Sequence, residues 1–293
     1  MISVIVCSVK PHLLEQLKIN INKNIGVDYE LLVYDNRNEQ QGLCAVYNQL
    51  AKRSNYNTLC FIHEDIVFDT HLWGQTLLDT ITKNDIGVLG VAGSKYKSAL
   101  CSGWYTGNKN FDCANVLHRF PDYDEKIYLS PSENRIVEEV VCVDGVFIAC
   151  KKEVWEQTLF DEENLKGFHF YDLDFSLRAA QSFKVAITYQ IDIAHITFGG
   201  DFGNSWITTA MLYHKQKKHR LPVTKLIKAS QENELNIAKT TLDVLKNQKI
   251  SWSNKIQWIQ LQKLHTHPSL YYSILKFLLY SPLKLNLVHK LFK

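Results

Sequence analysis

The stretch TLCFIHEDIVF, Thr58 to Phe68, sets His63, Glu64 and Asp65 between apolar runs of strand character. A buried strand ending in two adjacent carboxylates needs a reason, because desolvating unpaired charges costs on the order of several kcal/mol. On either side, short apolar runs alternate with helix-like segments: ISVIVCS, HLLEQLKININKNI, YELLVYDN and GLCAVYNQLAKRS before it, LWGQTLLDTITKN and IGVLGVAGS after it. Strand-helix alternation with β-branched strands is the pattern of βαβ units, so an α/β fold with a parallel sheet and helices on both faces is the economical reading. Ligands of such sheets bind beyond the carboxyl ends of the strands. The first three strands lead there into Ser8 and Lys10, Asp35 and Asn36, and Glu64 and Asp65, which should converge on one rim.

With 293 residues the chain can bury roughly three quarters of its unfolded surface and needs no disulfides. Its seven cysteines are odd in number, lack C-x-x-C spacing and mostly sit in apolar runs, as small core residues of a reducing compartment do. The N-terminus has no basic leader, and no apolar stretch reaches the ~18 to 20 residues that span a bilayer, so neither a signal peptide nor a membrane span is expected. Net charge is +3, yet eight of the 33 basic residues and none of the 30 acidic ones fall from Val244 onward. That split points to an anionic contact for the tail and a different task for the body.

The middle of the chain, Lys95 to Glu139, is rich in Tyr, Asn, Asp and Gly and is expected to form loops over a site. Strand character resumes in IVEEVVCVDGVFIACKKEVWE, followed by a helix in YDLDFSLRAAQSF, strands in KVAITY and IDIAHITFGG, and helices from Asn204 on, broken at Pro222, Pro268 and Pro282. Asp172 stands where that first helix could start, as an N-cap. Asp174 and Arg178, spaced i, i+4, fit a helix salt bridge. Asp172 is then the carboxylate left to act as general base for an incoming hydroxyl. At Glu64 and Asp65 a divalent cation is a natural partner, since Mg2+ or Mn2+ takes oxygen ligands from carboxylates and substrate phosphates. His195 is an ordinary core histidine if alone and a second ligand if the fold brings it to Asp65, imidazole being suited to Mn2+. The P-loop, dinucleotide, nucleophile-elbow and zinc spacings are all absent.

These residues resemble the family 2 glycosyltransferases of the GT-A fold, in the bacterial branch whose acidic motif is H-[DE]-D. The resemblance runs over roughly Met1 to Asp201 and rests on ISVIVCS, ELLVYDN, GLCAVYNQLA, LCFIHEDIVF, WGQTLLD, GVLGVAGS, SGWY, VDGVFIACKKEVWE, FDEENLKGFHFYDLDFSLRA and IAHITFGG, in that order. It implies a mixed sheet flanked by helices over 1–220, with a helical, basic extension over 221–293. It further implies that Ser8 and Asp35 lie at the nucleotide, that Asp65 is the metal-binding last Asp of D-x-D with Glu64 beside it supporting metal or ribose, and that His195 completes the Mn2+ or Mg2+ site. Asp144 and Gly145 would line the donor-acceptor pocket. Asp172 would be the catalytic base of the motif usually written E-D-x-D. His63 and Tyr171 depart from that pattern, standing where the family has Asp and Glu.

The implied reaction is a metal-dependent, inverting transfer from a nucleotide-diphosphate sugar to a saccharide or lipid-linked acceptor, at the cytoplasmic face, in bacterial surface polysaccharide or glycoconjugate synthesis. Rival readings are an inactive sugar-nucleotide-binding protein of the same fold and a nucleotidyltransferase, although the basic Gly-rich loop of the latter is missing. Aromatic residues interleaved with lysines after Ser251 fit either packing on the body or a second subunit, or peripheral membrane contact. No nucleic-acid motif accompanies the charge, and a homo-oligomer is left open.

Overall fold

The computed structural model of the chain describes residues 1–130, 135–196, 203–217, 220–225 and 227–280. In chain order it contains β1 (Ile2–Ser8), α1 (Pro11–Asn24), β2 (Tyr29–Asp35), α2 (Leu43–Lys52), β3 (Thr58–Ile62), β4 (Ile66–Phe68), α3 (Trp73–Lys83), β5 (Val88–Gly90), β6 (Ala92–Ser94), β7 (Tyr96–Lys97), β8 (Asp112–Arg119), β9 (Asp124–Leu129) and β10 (Val137–Glu139). It continues with β11 (Cys142–Val143), β12 (Phe147–Lys151), α4 (Lys152–Thr158), α5 (Tyr171–Ala179), β13 (Val185–Thr188), β14 (Ile193–Ile196), α6 (Gly203–Lys217), β15 (Val223–Thr224), α7 (Gln231–Leu245), α8 (Trp252–Leu261) and α9 (Tyr271–Leu279).

Seven strands form the main sheet in the order β10-β13-β5-β12-β3-β1-β2. The period of two sorts their side chains between two cores. Val4, Val6, Cys60, Ile62, Phe147 and Ala149 face α1 and α3, which contribute Leu17, Ile21, Trp73 and Leu77. Ile5, Phe61, Ile148 and Cys150 face the other way, against Val46 and Tyr47 of α2, Trp155 of α4 and Phe175 of α5. Burial of each such aliphatic or aromatic side chain contributes roughly 1.5–3 kcal/mol. Six of the cysteines are buried, the seventh partly so, and all seven are free thiols.

The β1-β2, β1-β3 and β5-β13 pairs are parallel, as the alternation predicts. The sheet as a whole is mixed, because β12 enters antiparallel between β3 and β5. β12 comes straight from a neighbouring sheet rather than through a crossover helix, so nothing forces it to run parallel. That second sheet follows the order β11-β6-β8-β14-β4, with β9 paired to β8. The stretch from Lys95 to Glu139 is therefore not only loop. It carries β8, whose small or polar residues Asp112, Cys113, Ala114 and Asn115 are buried and give no clear alternation.

The chain passes from the first sheet to the second at His63–Asp65 and again at Val91, and returns at Asp144–Val146. These crossings, more than the strand ends themselves, present the polar side chains of the rim.

The C-terminal helices α7 to α9 share the core that holds α2 and α5, through Ala238, Leu242, Trp258 and Phe277. Trp258 Nε1 donates to the Cys101 carbonyl at 3.0 Å. Tyr96 and Ser98 donate to Glu234 at 2.7 and 2.6 Å. One tail lysine, Lys255, is buried with its ammonium on the carbonyls of Phe277 and Tyr280. On the outer side Tyr271, Tyr272, Leu275 and Leu279 of α9 are exposed. Among the described residues no helix is long and apolar enough to cross a membrane.

Candidate active site

The two adjacent carboxylates have different surroundings. Glu64 is 8% exposed and is saturated from within the chain. Ser8 Oγ donates to Oε2 at 2.6 Å, and the backbone N–H groups of Val9 and Lys10 reach both oxygens at 3.0–3.2 Å. Glu64 thus ties the end of β1 to the start of α1. Ser8 turns toward Glu64 in doing so.

Asp65 has the opposite character. Its Oδ1 is buried without a well-formed hydrogen bond, although His195 Nε2 stands 3.3 Å and His63 Nδ1 3.9 Å from it. The antiparallel β4-β14 register sets His195 opposite Ile66, and Ile196 N–H closes the pair onto the Asp65 carbonyl at 2.8 Å. A residue 130 positions away in the chain thereby reaches the acidic turn. The ligand atoms of His63, Asp65 and His195 all lie within 4.8 Å of one another. Ligands about 2.0–2.2 Å from one ion would sit roughly 3–4.4 Å apart, and the 3.3 and 3.9 Å separations from Asp65 Oδ1 fall in that range. The side chains are 19–24% exposed, open enough for an ion to enter. Burial resists charge on Asp65, yet His195 and His63 beside it hold its pKa below the ordinary value. Burial likewise opposes charge on His195, which Asp65 outweighs, and it keeps the pKa of His63 low. A buried carboxylate oxygen that has no well-formed hydrogen bond and faces two imidazoles fits a divalent cation.

Asp172 is not the N-cap of α5. The cap position is Phe170, in the left-handed region at φ 69°, and Asp172 lies two residues into the helix. From there its Oδ2 accepts from Gly145 N–H at 2.9 Å. Burial, with Asp144 adding to it, pushes its pKa up to about 7. Asp144 accepts from Trp104 Nε1 at 2.5 Å and from Val146 N–H at 2.8 Å. Tyr171 is buried with its hydroxyl donated to the Gly145 carbonyl at 3.0 Å and 2.9 Å from His63 Nε2. A Cβ at Gly145 would overlap that hydroxyl. Asp174 pairs with Arg178 at 2.7 Å, as its spacing predicts, and with Lys217 at 3.4 Å, leaving it a structural ion pair.

Two clefts meet here. One, of about 430 Å³, is lined by Lys10, Asn36, Tyr47, Glu64, Asp65 and Lys166 among others. The second, of about 300 Å³, is lined by Trp104, Tyr105, Asp144, Asp172 and Trp206, and is closed by Thr240, Thr241, Val244 and Leu245 of α7. His63 and Phe168 belong to both and form the wall between them. Asp35 stays outside. It is exposed at the end of β2 and pairs with Arg37 Nη2 at 2.5 Å, while the neighbouring Asn36 faces the first cleft.

The model of a family described as "Glycosyltransferase like family" matches residues 3–218. The chain belongs to this family. Among solved structures it is similar to GalNAc-T7 crystallised with UDP, GalNAc and Mn2+, at TM-score 0.51 and 11% identity over 80% of this chain and 53% of that one. It is also similar to S. aureus TarS, at TM-score 0.52 and 12% identity over 89% of this chain and 47% of that one. The chain spans about half the length of each, and likenesses at this identity show the shared GT-A type of fold. No curated protein matches it in sequence.

Within this glycosyltransferase fold, the structure brings together Ser8 with Glu64, Asp65 with His195, and Asp144 and Gly145 with Asp172. Sequence reasoning passed over His63 as a member of the cation cluster, and over Trp104, Phe168 and Trp206. A signal for His63 existed in that both departures from the family pattern, His63 and Tyr171, turn out to touch each other. The aromatic walls gave none, since aromatic residues in a loop-like stretch are equally well explained as packing. Gly199 and Gly200, which follow the strand of His195, lie outside the described residues.

Proposed function

We propose that the chain is a divalent-metal-dependent, inverting glycosyltransferase that uses a nucleotide-diphosphate sugar. The observation that carries this reading is the meeting of His195 with His63 and Asp65 of the distant acidic turn, where His63 lines both clefts and Asp65 the larger one. The larger cleft suits the donor: Lys10 and Lys166 bring positive charge for a diphosphate, and Asn36 and Gln41 offer polar contacts for a nucleoside. Ser8 and Glu64 shape the turn at its floor, and Asp35 sits at its outer edge. The smaller cleft suits the acceptor, because flat aromatic faces such as Trp104 and Trp206 match the apolar faces of sugar rings. The segment 221–293 then serves as an extension of the 1–220 catalytic domain whose α7 closes the acceptor cleft.

The chemistry follows from position. Asp172, raised toward neutrality, takes the proton of an acceptor hydroxyl. The hydroxyl oxygen bonds to the anomeric carbon while the bond from that carbon to the diphosphate oxygen breaks, and the diphosphate leaves with the electron pair. A cation held by Asp65 and His195 would supply charge stabilisation for that leaving group. The lysines of the donor cleft act in the same sense. Gly145 fixes the Asp172 carboxyl through its N–H, and Asp144 holds Trp104 over the acceptor side. GalNAc-T7, crystallised with UDP, GalNAc and Mn2+, is a fold neighbour for which such a ligand set is on record, which lends support. The acceptor is proposed to be a saccharide or lipid-linked glycan of bacterial surface assembly. The lysine-rich tail and the exposed Tyr271, Tyr272, Leu275 and Leu279 support contact with an anionic membrane face.

A thermal-shift screen of nucleoside diphosphates and nucleotide sugars, with and without Mn2+, tests the reading. A ligand at a hundred times its Kd stabilises the native state by about 2.7 kcal/mol. One nucleotide class should raise Tm only when metal is present. The absence of any metal-dependent shift across the screen would overturn it.

A further inference from the structure

The two residues at odds with the family pattern are hydrogen-bonded to each other, and that contact has a chemical consequence. The Tyr171 hydroxyl has a single proton. The Gly145 carbonyl, 3.0 Å away, can only accept, and assigning the proton to it satisfies that carbonyl. With this assignment the 2.9 Å contact between the same hydroxyl and His63 Nε2 is made by an Nε2–H donor on the histidine. With Nε2 protonated, the lone pair of the neutral ring sits on Nδ1, the atom that faces Asp65 Oδ1 at 3.9 Å. A histidine whose far nitrogen is fixed by a hydrogen bond while the near one points its lone pair at a carboxylate and a second imidazole is set up as a metal ligand.

We infer that His63 is the third protein ligand of the cation through Nδ1, and that Tyr171 is the positioning residue that holds it in the ligating tautomer. This rests on the metal-dependent reading given above and deepens it in two respects. First, the donor set becomes two imidazoles and one carboxylate, in place of the carboxylate-dominated set expected from D-x-D. Mg2+ takes oxygen ligands in strict octahedral geometry, whereas imidazole nitrogen favours later divalent ions, so the site prefers Mn2+ to Mg2+. Second, the ion and the base are linked through one peptide unit. Tyr171 bonds the Gly145 carbonyl, and the Gly145 N–H bonds Asp172. Gly145 has no Cβ because the Tyr171 hydroxyl occupies that space. His63 and Tyr171, which stand where the pattern has Asp and Glu, are thus in direct contact, an imidazole and a neutral hydroxyl in place of two acids.

Titration of the full chain with MnCl2 and MgCl2 by calorimetry, alone and with UDP, tests this together with pulsed electron spin resonance of bound Mn2+. The nitrogen modulation in the latter counts directly bound imidazoles. The unaltered protein should show two nitrogens and bind Mn2+ at least tenfold more tightly than Mg2+. His63→Ala should leave one nitrogen and weaken Mn2+ by more than tenfold. Tyr171→Phe should retain the fold and weaken Mn2+ by about tenfold, the usual effect of losing the group that orients a ligating histidine. His63→Asp keeps a ligand if His63→Ala fails to fold, and should narrow the Mn2+ to Mg2+ preference. One nitrogen in the unaltered protein, or equal Mn2+ affinity in His63→Ala, overturns the inference while leaving a metal-dependent enzyme intact. Failure of the unaltered protein to bind Mn2+, with or without UDP, overturns both it and the metal-dependent reading.

Discussion

Replacing Glu64 and Asp65 by their amides, one at a time, should give opposite results. Glu64 receives one hydroxyl and two backbone N–H groups at 2.6–3.2 Å in a site only 8% exposed. Hydrogen bonds to a charged partner are worth about 1.5–3 kcal/mol each, neutral ones about 0.5–1.5. Glu64→Gln removes the charge from three such bonds and turns an NH2 group toward donors, so a loss of about 2–4 kcal/mol is expected, and more for Glu64→Ala, which leaves all three donors unpaired. At roughly 2 °C per kcal/mol for a chain of this size, Tm should fall by about 4–8 °C. Asp65 Oδ1 has only the part-exposed 3.3 Å pair with His195 to lose. Asp65→Asn should change stability by less than about 1 kcal/mol in the absence of metal and abolish tight Mn2+ binding. Urea unfolding at constant m-value measures the first effect and Mn2+ titration the second. If Glu64→Gln were as stable as the unaltered protein but had lost nucleotide affinity, Glu64 would be a ligand and its contacts with β1 and α1 incidental.

Asp172, with its pKa raised from 3.8 to about 7, binds a proton in the native state that the unfolded chain releases near pH 4. Its stabilising effect is full below that pH and is lost as pH rises through about 7, so stability should decline over this window by on the order of 2–4 kcal/mol. Asp172→Asn should flatten that decline in urea unfolding and cut turnover by about 10²–10⁴-fold, whereas an unchanged pH slope would show that the carboxyl is already ionised. Gly145→Ala should destabilise by about 1–3 kcal/mol by displacing Tyr171, and should weaken Mn2+ binding in parallel with Tyr171→Phe. Retained stability and affinity would place Tyr171 elsewhere. Removing two apolar contacts of α9 with Tyr272→Ser and Leu275→Ser should lower binding to vesicles rich in anionic lipid while leaving Tm nearly unchanged, since both side chains are exposed. Equal vesicle binding would sink the membrane contact.

Much of the architecture was legible because the first ninety or so residues obey simple periodicities. β1 and β3 are near-continuous apolar runs whose successive residues enter the two cores in turn, and Leu13, Leu17 and Ile21 of α1 recur at four-residue spacing on one helix face. The second sheet was not legible for the converse reason. β8 hides Asp112 and Asn115 inside, Asp112 bonded to Thr106 in the preceding loop and Asn115 to the distant carbonyls of Tyr189 and Ile191, so polar residues occupy core positions through loop and long-range partners that no apolar periodicity reveals. Likewise, TLCFIHEDIVF looks like one strand with an acidic end but is two strands of different sheets joined by a turn. Asp174 and Arg178 were legible as a pair because both belong to one helix. Asp65 and His195 were separate candidates from the residues alone and were paired only through the family resemblance, their meeting being a property of β4-β14 register.

The turn at His63–Asp65 also explains how adjacent carboxylates take on different work. Within a strand, neighbours point to opposite faces, and in a buried sheet both faces are apolar, so two consecutive acids would be untenable. At a crossing between sheets the backbone is released from both ladders for a few residues, and each side chain can meet its own environment. Glu64 faces the amide groups at the start of α1, where a negative charge is favoured by the helix N-terminus and satisfied by protein donors. Asp65 faces imidazoles held by β14 and by Tyr171 of α5. The crossing at Asp144–Val146 does the same on the other side, with Asp144 on Trp104 and Gly145 on Asp172 and Tyr171. The candidate site is therefore assembled at two of the places where the chain changes sheet, His63–Asp65 and Asp144–Val146. Side chains at these crossings lie outside the strand ladders, so His63, which no strand pairing includes, can be substituted without altering one.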